Sequence, residues 1–476
     1  MTVPKPLRRL LFGVAIPVGV LVGGAALAHV MVSWMAHLSP PKVTLPSTQL
    51  ETVVPGFRTV GDSYVLEHDG LLEARLVGTP GQIGYAHAKL LRRDIFDVEG
   101  VLYRELDRVV QSPLLRTLLF DLAQFRFRNV HEAMSPERLL EIAASARALE
   151  PDPYKDVFPS YQRGVYLNAL YDISLSFEHS PLVGCTSLVL SGHAAAQGHS
   201  FLARNFDFEV NDIFDRRKVV FLVRETGAIP FASVAWPGLV GVVSGMNAEG
   251  LAVVVHGARA GEARGQGEPV VHALRRLLST CRDVPGALSA LRQREPMVSH
   301  LVIMMDASGR AAVAERVPGK DLYHYSVGPK TVITNHFVGP SAKDPKNVRV
   351  KAVTSTLDRW RRGRQLLGRL RLPATAADAV RLLRDRSGVN DVKIPLGDRR
   401  AIDALIATHG VVMDTAERTL WVSAGPHLLG RFVAFDLGRL LAPEYRPSRA
   451  LPPPRVIVED PLKTSGQYDR WRRLSR

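Results

Sequence analysis

The chain has 476 residues, 46% of them apolar and 22% charged. This balance excludes a disordered or low-complexity protein and supplies material for a large core. Lys plus Arg number 61 against 46 Asp plus Glu, a net charge of +15. The surplus is scattered over Lys5, Arg8 and Arg9, the stretch 359–371, and a final cluster of Arg470, Arg472, Arg473 and Arg476. No paired Cys/His finger and no aromatic RNA-binding motif accompanies it, so it points to solvated faces and an anionic membrane surface, not to nucleic acid. Two cysteines, Cys185 and Cys281, exclude a disulfide scaffold and a four-cysteine zinc site.

Leu10 to Pro41 holds no Asp, Glu, Lys or Arg and follows Lys5, Arg8 and Arg9. A positive stretch before an apolar run of this length predicts an export signal or a membrane anchor over 1–40, since a span needs ~20 residues. Ala26-Leu27-Ala28 offers a cleavage site, but apolar character continues beyond it, which favours the anchor. Positive charge ahead of the span places the rest of the chain outside the cytoplasmic membrane, on the periplasmic or extracellular side.

Residues 39–41 and 46–55 read as a linker, and 84–180 as mostly helical, with Ser135-Pro136-Glu137 as a helix start. From Cys185 the pattern changes to strands at 186–191, 200–208, 218–224, 231–235, 239–244 and 251–256, with a hairpin turn at Asn247-Ala248-Glu249-Gly250. Helices follow over 269–291, broken near Pro285, then strands at 301–306, 311–316 and 331–334. Helices at 353–370 and 376–386 precede a final hairpin, 410–414 and 419–424. The implied units are a leading segment 41–184, a main domain 185–440, and a basic, proline-rich tail 441–476. Runs of strands with segregated helices predict an α+β fold with two stacked antiparallel sheets.

No phosphate loop, Gly-x-Ser-x-Gly elbow or His-Glu-x-x-His is present. His193 and His199 share a loop without a third ligand type, so no metal is expected there. The informative stretch is Gly184-Cys185-Thr186-Ser187, then Arg204-Asn205-Phe206-Asp207. A lone cysteine is most often a packed apolar residue. Here it follows a glycine, and the next strand supplies an arginine and a carboxylate that can stabilise a thiolate. No histidine is paired with it in sequence, which gives a Cys-His protease no support.

This segment resembles the N-terminal-nucleophile hydrolases of the acyl-CoA:6-aminopenicillanic-acid acyltransferase family, related to choloylglycine hydrolases and acid ceramidase. Further segments are similar in the same order: 76–88 and 165–172 before the cysteine, then Gly245-Met246-Asn247, Thr334-Asn335, Thr408-His409-Gly410 and 419–425. Together they cover about 70–437. The resemblance implies a four-layer αββα core and a precursor that cuts itself before Cys185. The freed cysteine then uses its own α-amine, with pKa near ~8, as general base. It also implies Cys185 as nucleophile, Arg204 beside the thiol, Asp207 holding the α-amine, Asn335 as oxyanion-hole amide and Asn247 as that hole's backbone donor. Arg359 is a looser match to a late active-site arginine.

Each residue also has a plainer reading: Arg204 and Asp207 an ion pair, Asn247 a turn residue, Asn335 a strand end. The combined resemblance favours catalysis: a self-processing amidohydrolase that cleaves a linear amide of an N-acyl, lipid-like small molecule through a thioester on Cys185, without metal or organic cofactor. The alternatives are an acyltransferase of the same fold and a catalytically inactive, membrane-tethered binding protein.

Overall fold

The computed structural model describes residues 20, 23–176, 183–447 and 455–474. Its first elements are a helix over 23–35 (α1) and four strands: β1 (Glu51–Val54), β2 (Phe57–Val60), β3 (Ser63–His68) and β4 (Leu71–Gly78). Most of the anchor expected over 1–40 lies outside the described residues, among which no helix is long and apolar enough to cross a membrane. The linker expected over 46–55 contains β1, and β2–β4 had no counterpart in the sequence reading. Gly56, Gly61 and Gly70, with φ of 81°, 57° and 76°, make the tight turns between these strands.

The expected helical region holds α2 (Pro80–Val109), α3 (Pro113–Phe127), α4 (Pro136–Ala148), α5 (Ser160–Leu167) and α6 (Leu170–Leu175). A capping box starts α2: Thr79 N donates to Gln82 Oε1 at 2.8 Å, and Gln82 N donates to Thr79 Oγ1 at 3.4 Å. α2 crosses α4 so closely that a Cβ at Gly84 would stand 2.0 Å from the Glu141 carbonyl oxygen, a position only glycine tolerates.

After these helices come β5 (Val183–Leu190), β6 (Phe201–Phe208), α7 (Ile213–Arg216), β7 (Val219–Glu225), β8 (Phe231–Ala235), β9 (Ser244–Asn247) and β10 (Ala252–Gly257). The chain continues with α8 (Val270–Thr280), α9 (Val284–Arg292), β11 (His300–Met305), β12 (Ala311–Arg316), β13 (Tyr323–Ser326) and β14 (Lys330–Ile333). The last elements are α10 (Pro345–Val353), α11 (Thr356–Arg369), α12 (Ala376–Leu383), β15 (Ala407–Asp414), β16 (Thr419–Ser423), β17 (Phe432–Asp436), α13 (Leu437–Leu440), β18 (Val456–Ile457) and α14 (Gln467–Leu474). The strand expected at 239–244 is a loop up to Ser244. Val240 bonds side chains instead of a ladder, donating to Asn168 Oδ1 at 2.8 Å and accepting from Arg275 Nη1 at 2.7 Å. The helix expected over 353–370 is α11, which starts at Thr356, and α10 before it had no counterpart in the sequence reading. In the described part of the tail, β18 pairs with β17, and α14 seats Tyr468 beside Leu405 and Leu429.

One sheet runs β1-β2-β3-β4-β7-β8-β9-β10-β11-β12-β13, antiparallel except at β4–β7; the other runs β14-β5-β6-β15-β16-β17-β18. Val220, Leu222 and Val254 of the first sheet pack on Val189, Leu202 and Val411 of the second. The neighbouring residues Val219 and Phe221 point the other way, into a core with α2, α8 and α9. Leu188 and Ala203 of the second sheet pack on α11 and α12. The layer order is therefore helix, sheet, sheet, helix. Buried ion pairs tie the leading helices to this body: Arg138 of α4 bonds Glu141 and Glu225, and Arg275 of α8 reaches Glu141 at 3.2 Å and Glu225 at 3.0 Å.

Candidate active site

β5 and β6 pair with Cys185 opposite Phe206, Ser187 opposite Arg204, and Gly184 opposite Asp207. Side chains alternate along a strand. Cys185, Ser187, Arg204 and Phe206 therefore face the other sheet, while Thr186, Asn205 and Asp207 face α11 and α12.

Cys185 is fully buried. Arg204 donates from Nη2 to Cys185 Sγ at 3.3 Å and to the Val255 carbonyl at 2.6 Å; its Nη1 donates to the Val243 carbonyl at 2.8 Å and to Ser244 Oγ. A guanidinium has only donors, so the direction of each bond is fixed. Ser244 accepts from Arg204 and is left to donate to His409 Nε2 at 3.0 Å. A second serine–histidine pair lies alongside: Ser187 Oγ is 2.7 Å from His256 Nε2, whose Nδ1 is 3.2 Å from the Thr334 carbonyl. A carbonyl only accepts, so His256 carries its proton on Nδ1 and takes the Ser187 hydrogen on Nε2. Burial, helped by the Arg204 charge, pushes both histidines well below their usual pKa and keeps them neutral. Both serve serines.

The main chain of Cys185 is held from the other side. Its N–H donates to Asn335 Oδ1 at 2.8 Å, and Asn335 Nδ2 donates to the Gly257 carbonyl at 2.9 Å. Arg359 on α11 donates to Asn335 Oδ1 and Thr186 Oγ1, both at 2.9 Å, and to the Cys185 carbonyl. Thr356 Oγ1 fixes the Asn335 backbone at 2.9 Å. The looser match, Arg359, thus sits on the cysteine's own peptide.

Asp207 lies against Gly184, where a Cβ would stand 3.1 Å from Asp207 Oδ2. Its Oδ1 is buried without a hydrogen-bond partner. Burial pushes this carboxyl up to about 7, although the Arg359 charge pulls it down. Burial raises the Cys185 thiol in the same way, and Arg204 opposes it.

Asn247 is not brought to this cluster. Its Nδ2 donates to the carbonyls of Leu278 at 3.0 Å and Cys281 at 2.8 Å, and its Oδ1 accepts from Glu249 N and Leu251 N. Its backbone N–H, the donor expected for an oxyanion hole, bonds the Leu251 carbonyl at 3.0 Å. It ties the β9–β10 turn to the end of α8. His199 bonds Asp414, and among the described residues no group of His, Cys, Asp and Glu is arranged to hold a metal.

The sequence reading missed Ser187, Ser244, His256, His409 and Thr356. The strand period alone puts Ser187 on the face of Cys185. Ser244 and His256 adjoin hydrophobic runs whose pattern carries no mark of a polar cluster.

An apolar cavity of about 310 Å³ adjoins β6, the strand paired with that of Cys185, and is lined by Phe206, Trp236, Val243, Tyr171, Ile95 and Ile142. Phe206 is the register partner of Cys185; Ile95 and Ile142 come from α2 and α4. Helices α2 and α4 therefore build one wall of the cavity, and β6 with the loop around Trp236 the other.

Among solved structures the chain is similar to a Caenorhabditis elegans N-acylethanolamine-hydrolyzing acid amidase ortholog, at 15% identity and TM-score 0.35 over 49% of this chain and 93% of that one. It is similar to a conjugated bile acid hydrolase of Clostridium perfringens (14% identity, TM-score 0.37, 56% and 98% covered). It is also similar to a penicillin V acylase of Agrobacterium tumefaciens (18% identity, TM-score 0.36, 55% and 89% covered). At these TM-scores the likeness carries no information on activity. No curated protein matches the sequence. Residues 194–425, which hold Arg204, Asp207, Asn247, Asn335 and Arg359 and begin shortly after Cys185, match the family model of acyl-coenzyme A:6-aminopenicillanic acid acyl-transferase.

Proposed function

We propose that this chain is a self-processing cysteine amidohydrolase with Cys185 as nucleophile. The observation that carries the reading is the clamp on one residue: Arg204 on the sulfur of Cys185, and Asn335 and Arg359 on its main chain. A merely packed cysteine needs neither. In processing, Sγ attacks the Gly184 carbonyl, the Cys185 nitrogen leaves with a proton, and water hydrolyses the resulting thioester. The products are a Gly184 carboxyl and a free α-amine at Cys185, separating the leading segment 41–184 from the main domain 185–440.

In turnover the thiol gives its proton to the α-amine and attacks the substrate amide. The amine product leaves with that proton, and water releases the acid from the thioester. Arg204 favours the thiolate, Asn335 and Arg359 supply donors beside the reacting carbonyl, and Asp207 holds the α-amine. The apolar cavity suits the acyl part of an N-acyl substrate. The family match supports acyl transfer as a second outcome, since an amine can replace water at the thioester.

The uncharged run from Leu10 to Pro41 behind Lys5, Arg8 and Arg9 supports an anchor that leaves the catalytic body outside the cytoplasmic membrane. The test of the reading is amino-terminal sequencing and intact mass of wild type beside Cys185→Ala. Two wild-type chains, one beginning Cys185-Thr186-Ser187, and an uncut variant are expected. A folded, uncut wild type overturns the mechanism and leaves a binding protein. Amide turnover with and without added amine then separates hydrolysis from transfer.

A further inference from the structure

α3 is built inside out. Its inward side carries polar groups: Arg116 pairs with Asp107 at 3.0 Å, Asp121 with His29 of α1 at 2.9 Å, and Gln124 accepts from Gln162 at 3.3 Å. Phe120 and Phe127 are the main apolar contacts on that side. Its outward side is Leu114, Leu115, Leu118, Leu119, Leu122 and Phe125, all exposed, with Leu114 at 68% and Leu122 at 58%. Single exposed leucines are ordinary, but a continuous row along one helix face marks a contact with an apolar medium.

α1, bonded to α3 through His29–Asp121, repeats the pattern with Leu27, Val30, Met31 and Trp34 exposed. In sequence the residues ahead of α1 continue uncharged back to Leu10, behind Arg8 and Arg9. At the end of α3 Arg126 is turned to the Ala263 carbonyl at 3.0 Å, whereas Arg128 lies over the exposed Phe125 ring at 4.6 Å, suited to anionic headgroups above an apolar layer.

We propose that the outer faces of α3 and α1 form one lipid-contacting surface, so that an anionic bilayer is held at α3 as well as at the amino-terminal segment. This goes beyond the anchor and does not rest on the catalytic reading. Mere tethering leaves α3 in water; the proposal lays α3 in the interface.

In the full-length Cys185→Ala chain the one native cysteine left, Cys281, is buried, so Leu118→Cys accepts a polarity-sensitive fluorophore selectively. The chain is reconstituted into phosphatidylcholine–phosphatidylglycerol vesicles carrying doxyl-labelled acyl chains. The expected result is a blue-shifted label quenched by the doxyl lipid and shielded from aqueous iodide. Leu115→Glu with Leu122→Glu, at exposed positions that leave the fold intact, returns the label to water while the chain stays bound. Each leucine withdrawn from lipid costs about tenfold in partition. A bound chain whose label remains open to iodide overturns the proposal and leaves the anchor reading standing. A chain that does not bind vesicles overturns both. A blue shift without lipid that grows with protein concentration overturns it in favour of a second copy of the chain.

Discussion

Arg204 Nη2 lies 3.3 Å from Cys185 Sγ, and the same guanidinium bonds the backbone carbonyls of Val255, in the facing sheet, and of Val243, in the loop that leads into it. The thiol and its cation are thus locked to both sheets at once. Arg204→Met would leave both carbonyls without this donor, in a buried site. Amide turnover should fall by about a hundredfold or more. Arg204→Lys, a point charge that cannot span all four acceptors, should recover only part of the loss. Because the Arg204 charge lowers the thiol pKa, the acid limb of the pH–rate profile should move to higher pH in the Met variant. An unmoved limb would assign Arg204 a purely structural role.

Asn335 holds the Cys185 N–H, the Gly257 carbonyl and Arg359 together. Asn335→Leu removes all three bonds and leaves buried donors behind, a cost of roughly 2–4 kcal/mol. Urea unfolding should show that loss. Intact mass should show the chain uncut even at temperatures where it is folded.

The Asp207 carboxyl, pushed up to about 7 from an ordinary 3.8, makes a signed prediction. Its folded pKa lies above its unfolded value, so the folded chain keeps the proton where the unfolded chain has lost it. Stability contributed by this group is full below about pH 4 and is lost as pH rises towards about 7. In the uncut Cys185→Ala background, Asp207→Asn should therefore flatten the fall in urea midpoint across that window. Parallel curves for the two proteins would contradict the burial argument.

Ser145 on α4 is half-buried and lines the apolar cavity. Ser145→Phe should fill part of it. Turnover of long-chain N-acyl amides should then drop at least about tenfold relative to short-chain ones, measured as the ratio of kcat/KM values. Equal losses for both would place the acyl chain elsewhere.

The site was legible in proportion to how local its parts are. Cys185, Arg204 and Asp207 lie on two adjacent strands, and the spacing of their hairpin already puts Arg204 near the cysteine. Asn335 was found through its own short motif. Asn247 was read as an oxyanion donor from a motif that here closes a turn, because its backbone N–H is spent on Leu251. Ser244, His256 and His409 bear on Cys185 only across the gap between the sheets, and a polar residue beside Val-rich runs shows nothing of its cross-sheet partner.

Local pattern by itself determined the helical leading segment, the strand-rich region after Cys185 and the uncharged amino-terminal run, since hydrophobic period and turn residues are written in adjacent positions. Tertiary structure alone decided that β1–β4, from the leading segment, extend the first sheet through parallel pairing of β4 with β7. β4 is as long as β5, but the period of a strand carries no mark of a partner far along the chain. It also decided that the polar side of α3 turns inward. Only the positions of Asp107, His29 and Gln162 make that side the one to bury, and no residue of α3 encodes where those partners stand.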